Sequence, residues 1–230
     1  MTSPIRVAIA DDHQAIIDGY LYRLNDASDI KVVGVAFDGQ ELEALLAQHS
    51  AEVLILDVGL PTAPDNANPY PILHAIPQFI ERYPSLSILV ISMHTERTLI
   101  NEVIKAGASG YILKDDRKTI RDLANVIRTV GKGDVYFSKR AFQKWQKRGV
   151  GKTEAAPTAR QIEVLSLCAA HPELTTNEVA KRLSVRPSTV RNLLSEAYRR
   201  LGVNNRTSAI HKARQLGLIT PHVSYAAPTH

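Results

Sequence analysis

Asp57 lies in the run VLILDVGLP, residues 53–61, where every neighbour on its N-terminal side suits burial. An ionised carboxylate is expensive to bury unless it is paired or bound to a metal. Four further polar residues stand at the ends of similar runs: Asp11 and Asp12 after IRVAIA, Ser92 closing SILVIS, and Lys114 closing GYILK. If those runs are parallel strands of one sheet, all five groups project into one crevice. Three carboxylates there repel one another and raise each other's pKa unless a cation intervenes. A hard divalent ion suits them, and Mg²⁺ needs only one or two carboxylates beside phosphate oxygens. The lysine and the hydroxyl then offer a positive charge and a hydrogen bond to a developing phosphoryl group.

A second set of residues has the chemistry of base reading. In TTNEVAKRLSVRPSTVRNLLSEAYRRLGV, residues 175–203, a short helix ends at Leu183, SVR makes a turn, and a longer helix starts at Pro187. Val190, Leu193, Leu194, Ala197 and Leu201 mark its expected buried face, which leaves Arg191, Asn192, Ser195 and Arg199 exposed. Arg reads guanine bidentately, Asn reads adenine, and a peripheral Arg holds phosphate. Arg200 and Arg206 are expected to bind phosphates or stand as solvated charges.

The elements that must position both sets follow from periodicity. IRVAIA (5–10), KVVGVA (31–36), VLILDV (53–58), SILVIS (87–92) and GYILK (110–114) are short Val/Ile/Leu-rich strands, and the stretches between them repeat apolar residues at three and four. Five β–α units of this kind predict a doubly wound α/β domain with a five-stranded parallel sheet, whose ligands sit beyond the carboxyl ends of the strands. Residues 133–157 read as a basic linker with a short helical turn at 141–147. Residues 158–220 read as four helices opened by Thr, Arg-Pro or Asn-Arg start signals. The tail from Pro221 lacks periodicity and is expected to be disordered.

Composition agrees with two domains in 230 residues, at 44% apolar and 22% charged. Residues 1–138 carry 12 Lys and Arg against 18 Asp and Glu, net −6, and residues 139–230 carry 16 against 5, net +11. The basic half is the electrostatic footprint of a phosphate-backbone binder. No apolar run approaches a membrane span, and MTSPIRVAIADD lacks a basic leader and a cleavage site, so neither a membrane segment nor a signal peptide is expected. The single cysteine, Cys168, excludes an internal disulfide and fits the cytoplasm. Cys168, His171 and His211 lack metal-ligand spacing.

ADDH, LILDVGLP, VIS and GYILKD, in this order, resemble the flavodoxin-like receiver domain of two-component response regulators over residues 5–130. Residues 158–219 resemble the LuxR-type helix-turn-helix domain, through T-x-R-x-x-x-V-L, E-V-A-x-x-L and S-T-V-R-N. The pair is similar to the NarL/FixJ family. The resemblance implies Asp57 as phosphoacceptor from a sensor histidine kinase, and Mg²⁺ on Asp12, Asp57 and the Gly59 carbonyl with Asp11 acting through water. It further implies Ser92 and Lys114 at the phosphoryl oxygens, Tyr111 as an aromatic switch, and Thr189, Arg191, Asn192 and Ser195 facing DNA. Leu193 and Ser195 depart from that family's usual histidine and basic residue. TAPDNANPYPIL after Pro61 replaces the usual short turn with a proline-stiffened loop, a likeness to the capsule-synthesis regulators.

The expected function is a cytoplasmic, non-enzymatic transcriptional regulator whose phosphorylation at Asp57 shifts dimerisation or domain arrangement to control binding to double-stranded DNA. Its expected partners are a cognate kinase, a second copy of the chain and RNA polymerase. The alternatives are a phosphorylation-independent receiver joined to the same DNA-binding domain, and a Mg²⁺-dependent phosphohydrolase.

Overall fold

The computed structural model describes residues 3–146 and 156–219. The Gly-Val-Gly part of the expected linker and the expected disordered tail lie outside the described residues. Strands β1 (Ile5–Ala10), β2 (Ile30–Ala36) and β3 (Val53–Leu56) alternate with helices α1 (Gln14–Leu24) and α2 (Gly39–Gln48). A hairpin, β4 (Pro61–Ala63) and β5 (Asn66–Pro69), precedes α3 (Ile72–Arg82), β6 (Ser87–Ser92), α4 (Arg97–Lys105) and β7 (Gly110–Leu113). Helices α5 (Arg117–Arg121) and α6 (Leu123–Gly131), strand β8 (Tyr136–Phe137) and helix α7 (Lys139–Gln146) complete this part. The C-terminal part is helical: α8 (Ala159–Ala170), α9 (Thr176–Arg182), α10 (Pro187–Leu201) and α11 (Arg206–Gln215).

The main sheet is parallel, in the order β2-β1-β3-β6-β7-β8. Alternate side chains of each central strand go to opposite faces, so Val7, Ile9, Val53, Ile55, Leu89, Ile91 and Ile112 pack with α1 and α6. Ala8, Ala10, Leu54, Leu56, Ile88, Val90, Tyr111 and Leu113 pack on the α2, α3 and α4 side. Burial on both faces explains why these strands are apolar without alternation.

Two features correct the expected five-stranded sheet with a loop after Pro61. A sixth strand, β8, pairs with β7 at Gly110–Tyr136 and Tyr111–Phe137. It comes so close that a Cβ on Gly110 would lie 2.1 Å from the Tyr136 carbonyl oxygen. The loop is an antiparallel hairpin whose exit residue, Tyr70, stacks on Gly39 at the start of α2 and donates its phenol to Glu43 at 2.7 Å. Strand β8 and helix α7 occupy residues assigned to the linker in the sequence reading.

The helical part is punctuated as its sequence dictates. Thr158 with Gln161 and Thr175 with Glu178 form capping boxes for α8 and α9, Pro187 opens α10, and Gly202, at φ 72°, ends it. The two parts share one apolar cluster, in which Phe137, Phe142 and Trp145 continue into Val164, Val190 and Leu194. Trp145 stacks on Phe137 at 4.9 Å between centroids, and its indole N–H donates to Asn101 Oδ1 of α4 at 3.5 Å.

Candidate functional site: an acidic crevice and a covered recognition helix

The register that aligns Ala10 with Leu56 carries Asp11 and Asp57 out of adjacent strand ends into one crevice. Both carboxylates are buried, at 1% and 6% exposure. Lys114, at the end of β7, bridges them: Nζ stands 2.7 Å from Asp11 Oδ2 and 3.1 Å from Asp57 Oδ2. Burial raises the Asp11 carboxyl above its usual range and the charge on Asp57 adds to this, while hydrogen bonding and attraction from Lys114 oppose it. One ammonium therefore serves two carboxylates, and the crevice keeps an excess of negative charge.

Asp12 stands exposed at the rim, 2.7 Å from His13 Nδ1, and the ligand atoms of Asp11, Asp12 and His13 fall within 4.8 Å of one another. Asp57 is outside that cluster and is held through Lys114 instead. Gly59 lies against Asp57, since a Cβ there would be 3.2 Å from Asp57 Oδ2. Apart from His13 the donors are hard carboxylate oxygens, under-neutralised and open at the Asp12 side, and they fit a small divalent cation such as Mg²⁺.

Ser92 is fully buried at the end of β6, and its Oγ accepts from His94 N at 3.2 Å. Tyr111 is also fully buried and donates its phenol to the His94 carbonyl at 2.9 Å. Burial chiefly pushes that phenol up to about 12. The loop from β6 to α4 is thus held from both sides. His13, His94 and Tyr20 were missed by sequence reasoning. Tyr20 is buried in α1, and that burial, then the charges of Asp11 and Asp57, push its phenol up. Its signal was an aromatic on the inner face of α1, indistinguishable there from ordinary core.

The expected DNA-facing residues are placed differently from the sequence reading. Thr189 is exposed and Asn192 half-buried, but Arg191, Ser195 and Arg199 are buried rather than exposed. Arg191 is 1% exposed; its Nε and Nη2 have no hydrogen-bond partner among the described residues, and burial pushes the guanidinium down to about 10. Ser195 Oγ donates to the Arg191 carbonyl at 2.8 Å, and Arg199 pairs with Glu196 at 2.6 Å. Leu193, expected in the core, is only half-buried.

The reason is tertiary. Ser188, Arg191, Ser195 and Arg199 form one helical stripe, and both of its ends meet the sheet domain. Ser188 Cβ is 3.7 Å from where a Cβ on Gly107 would stand, just after α4, and the Arg199 carbonyl accepts from Gln146 Nε2 of α7 at 3.3 Å. Arg97 of α4 donates in turn to the Trp145 carbonyl at 3.0 Å. A second seam joins residues 132–137 to α9 and α11. Thr176 N donates to the Lys132 carbonyl at 3.3 Å, Thr176 Oγ1 to the Gly133 carbonyl, and Asn204 Nδ2 to the Phe137 carbonyl at 3.2 Å. Arg206 forms an ion pair with Asp134, not the solvated or phosphate-facing charge expected.

Comparison with known proteins agrees with this two-part architecture. Residues 7–125 match the response regulator receiver domain, and residues 157–213 match the bacterial regulatory proteins of the luxR family. The chain is similar to the oxygen regulatory protein NreC of Staphylococcus carnosus, at 28% identity covering 94% of this chain and 99% of that one. It is 25% identical to the transcriptional regulatory protein DegU of Brevibacillus brevis, covering 94% and 95%. Among solved structures it resembles the RcsB response regulator of Salmonella typhimurium, with a TM-score of 0.56 and 25% identity over 93% of this chain and 100% of that one. RcsB of Salmonella enterica serovar Typhimurium, bound to promoter rprA in the presence of phosphomimetic BeF3-, matches with a TM-score of 0.53 and 25% identity over 92% and 99%.

Proposed function

The chain belongs to the response regulators, a receiver domain joined to a luxR-family DNA-binding domain in the NarL/FixJ manner, and is a phosphorylation-controlled DNA-binding transcriptional regulator; from that premise we propose that Asp57 is its phosphoacceptor and that the structure is its closed state. The observation that carries this reading is the buried Asp11–Lys114–Asp57 bridge facing an open rim. An Asp57 Oδ attacks phosphorus, the P–N bond of a kinase phosphohistidine breaks, and its electron pair returns to the imidazole. Lys114 already touches the attacking carboxylate, so a short swing of Nζ places it against the new phosphoryl oxygens. Asp11, Asp12, Asp57 and the Gly59 carbonyl are the groups that would hold Mg²⁺, which supplies charge neutralisation for the transferring phosphoryl.

Ser92 couples this chemistry to the second domain. Its Oγ would turn from the His94 amide to the phosphoryl, disturbing the loop that Tyr111 holds from the other side. That loop leads directly into α4, on which Trp145 and the covered stripe of α10 depend. A change there shifts the population toward an open form in which Thr189, Arg191, Asn192 and Ser195 reach the major groove, with Arg199 at the flanking phosphates. A homodimer would then present two recognition helices to two half-sites.

The test is to treat the wild type and Asp57→Asn with acetyl phosphate and Mg²⁺, and to follow intact mass and affinity for an operator selected from random DNA. The reading expects one added phosphoryl in the wild type alone, with tighter DNA binding. Phosphoryl uptake by Asp57→Asn, or uptake without any change in DNA affinity, would contradict it.

A further inference from the structure

The second seam between the domains encloses a cleft of about 590 Å³ that the phosphorylation reading does not use. One wall is the receiver's end, Lys132 and Asp134; the other is α11, which presents Arg206, His211 and Arg214; Cys168 of α8 lies at the floor. Arg206 and Arg214 are eight residues apart and Ile210 lies between them, so all three stand along one helix face that lines the cleft. Three Lys and Arg side chains face a single carboxylate, Asp134, which Arg206 already engages while donating also to the Leu174 carbonyl at 2.9 Å and to Thr176 Oγ1 at 3.3 Å, so Arg206 contributes its charge while Lys132 and Arg214 are the groups left to contact a ligand. The Nε of Arg214 is buried without a hydrogen-bond partner among the described residues. Positive charge is left over.

We propose that this cleft binds a small phosphate-class polyanion, held by Lys132 from the receiver side and by Arg214 from α11 beside the charge of Arg206, and that the bound anion stabilises the closed arrangement. Guanidinium groups offer planar, forked donors that match phosphate oxygens, and an ammonium adds a point charge. A ligand gripping both domains binds the closed form better than the open one, so it opposes phosphorylation by linkage. It would give the regulator a second input, independent of the kinase. The proposal rests on the closed arrangement but not on Asp57 chemistry.

The probe is pyrophosphate, titrated calorimetrically into the full chain at matched ionic strength without Mg²⁺. Trp145, the chain's one tryptophan, is 1% exposed in the closed arrangement, so its acrylamide quenching reports the fraction of molecules that are open. The expected result is one saturable site in the wild type and in Asp57→Asn, at least tenfold weaker in Lys132→Gln/Arg214→Gln, with quenching reduced on saturation. Arg214→Lys, which keeps the charge without the fork, should fall between. Absence of saturable binding, equal affinity in the double variant, loss of binding in Asp57→Asn, or binding that leaves Trp145 quenching unchanged would each overturn the proposal. Failure of Asp57 to take up phosphoryl would leave these results unaffected, so the two readings fail separately.

Discussion

Two buried charged sites in this molecule are built in opposite ways. In the crevice, Asp11 and Asp57 share Lys114 at hydrogen-bonding distance, so the desolvated carboxylates have a partner in hand. On α10, Arg191 is as deeply buried as Asp11, yet two of its guanidinium nitrogens have no hydrogen-bond partner among the described residues. Burying an unpaired charge costs several kcal/mol, whereas a bridged one recovers part of that cost. The crevice is therefore a site whose buried carboxylates are bridged but not fully neutralised, which leaves room for a divalent cation before a phosphoryl arrives. On the proposed reading, the stripe is a surface for a different partner, held against α4 at a free-energy cost that lowers the work phosphorylation must do to release it.

The largest expected effect that would break this contrast is at Asp57. Asp57→Asn should lose phosphoryl uptake from acetyl phosphate below detection by intact mass, while keeping basal DNA affinity. Next comes Lys114→Ala, which leaves two buried carboxylates uncompensated and should destabilise the receiver by about 3–5 kcal/mol in denaturant unfolding. Mg²⁺ should recover part of that loss. If Lys114→Ala unfolds like the wild type, the crevice is not the balanced site described.

The Asp11 carboxyl lies above its usual range through burial, so the folded chain holds that proton to higher pH than the unfolded chain does. Its contribution to stability is therefore fully present at pH below the unfolded value and is lost as pH rises through the folded value. Thermal melts should show Mg²⁺ raising the midpoint more at pH 7 than near pH 4, and Asp11→Asn should remove most of that difference.

Two smaller effects sharpen the other half of the contrast. Gly133 sits at φ 80°, where a Cβ costs about 1–2 kcal/mol in either state, and that Cβ would also meet Thr176 Cβ at 2.8 Å, so Gly133→Ala should penalise the closed seam specifically through this clash. Unphosphorylated DNA affinity should rise about tenfold, measured by fluorescence anisotropy. Arg191→Met removes a stored charge that has no partner; it should stabilise the unphosphorylated chain by about 1 kcal/mol while abolishing sequence preference on DNA. A destabilised Arg191→Met would mean that Arg191 is satisfied in the resting protein after all.

Sequence reasoning reached these two sites unequally. Asp11, Asp57, Ser92 and Lys114 were legible because strand ends place them, and strand ends follow from local apolar runs. The sixth strand was not, since Tyr136–Phe137 is two residues long and exists only because β7 is beside it. The hairpin after Pro61 was hidden by prolines at both of its ends, which read as a loop while pairing with each other. The exposure of Arg191, Ser195 and Arg199 was misread for a similar reason: periodicity identifies the face that is polar, but not the α4 helix, some ninety residues earlier, that covers it.

The central claim is that phosphorylation of Asp57 uncovers the stripe of α10. Ser195 is fully buried in the closed state, so a chain carrying Ser195→Cys, with the buried Cys168 changed to Ala, reports that event by its rate of maleimide labelling. The account predicts slow labelling that rises at least tenfold with acetyl phosphate and Mg²⁺, and no rise when Asp57→Asn is added. Labelling that is already fast without phosphorylation, or that stays slow in fully phosphorylated protein, would contradict it.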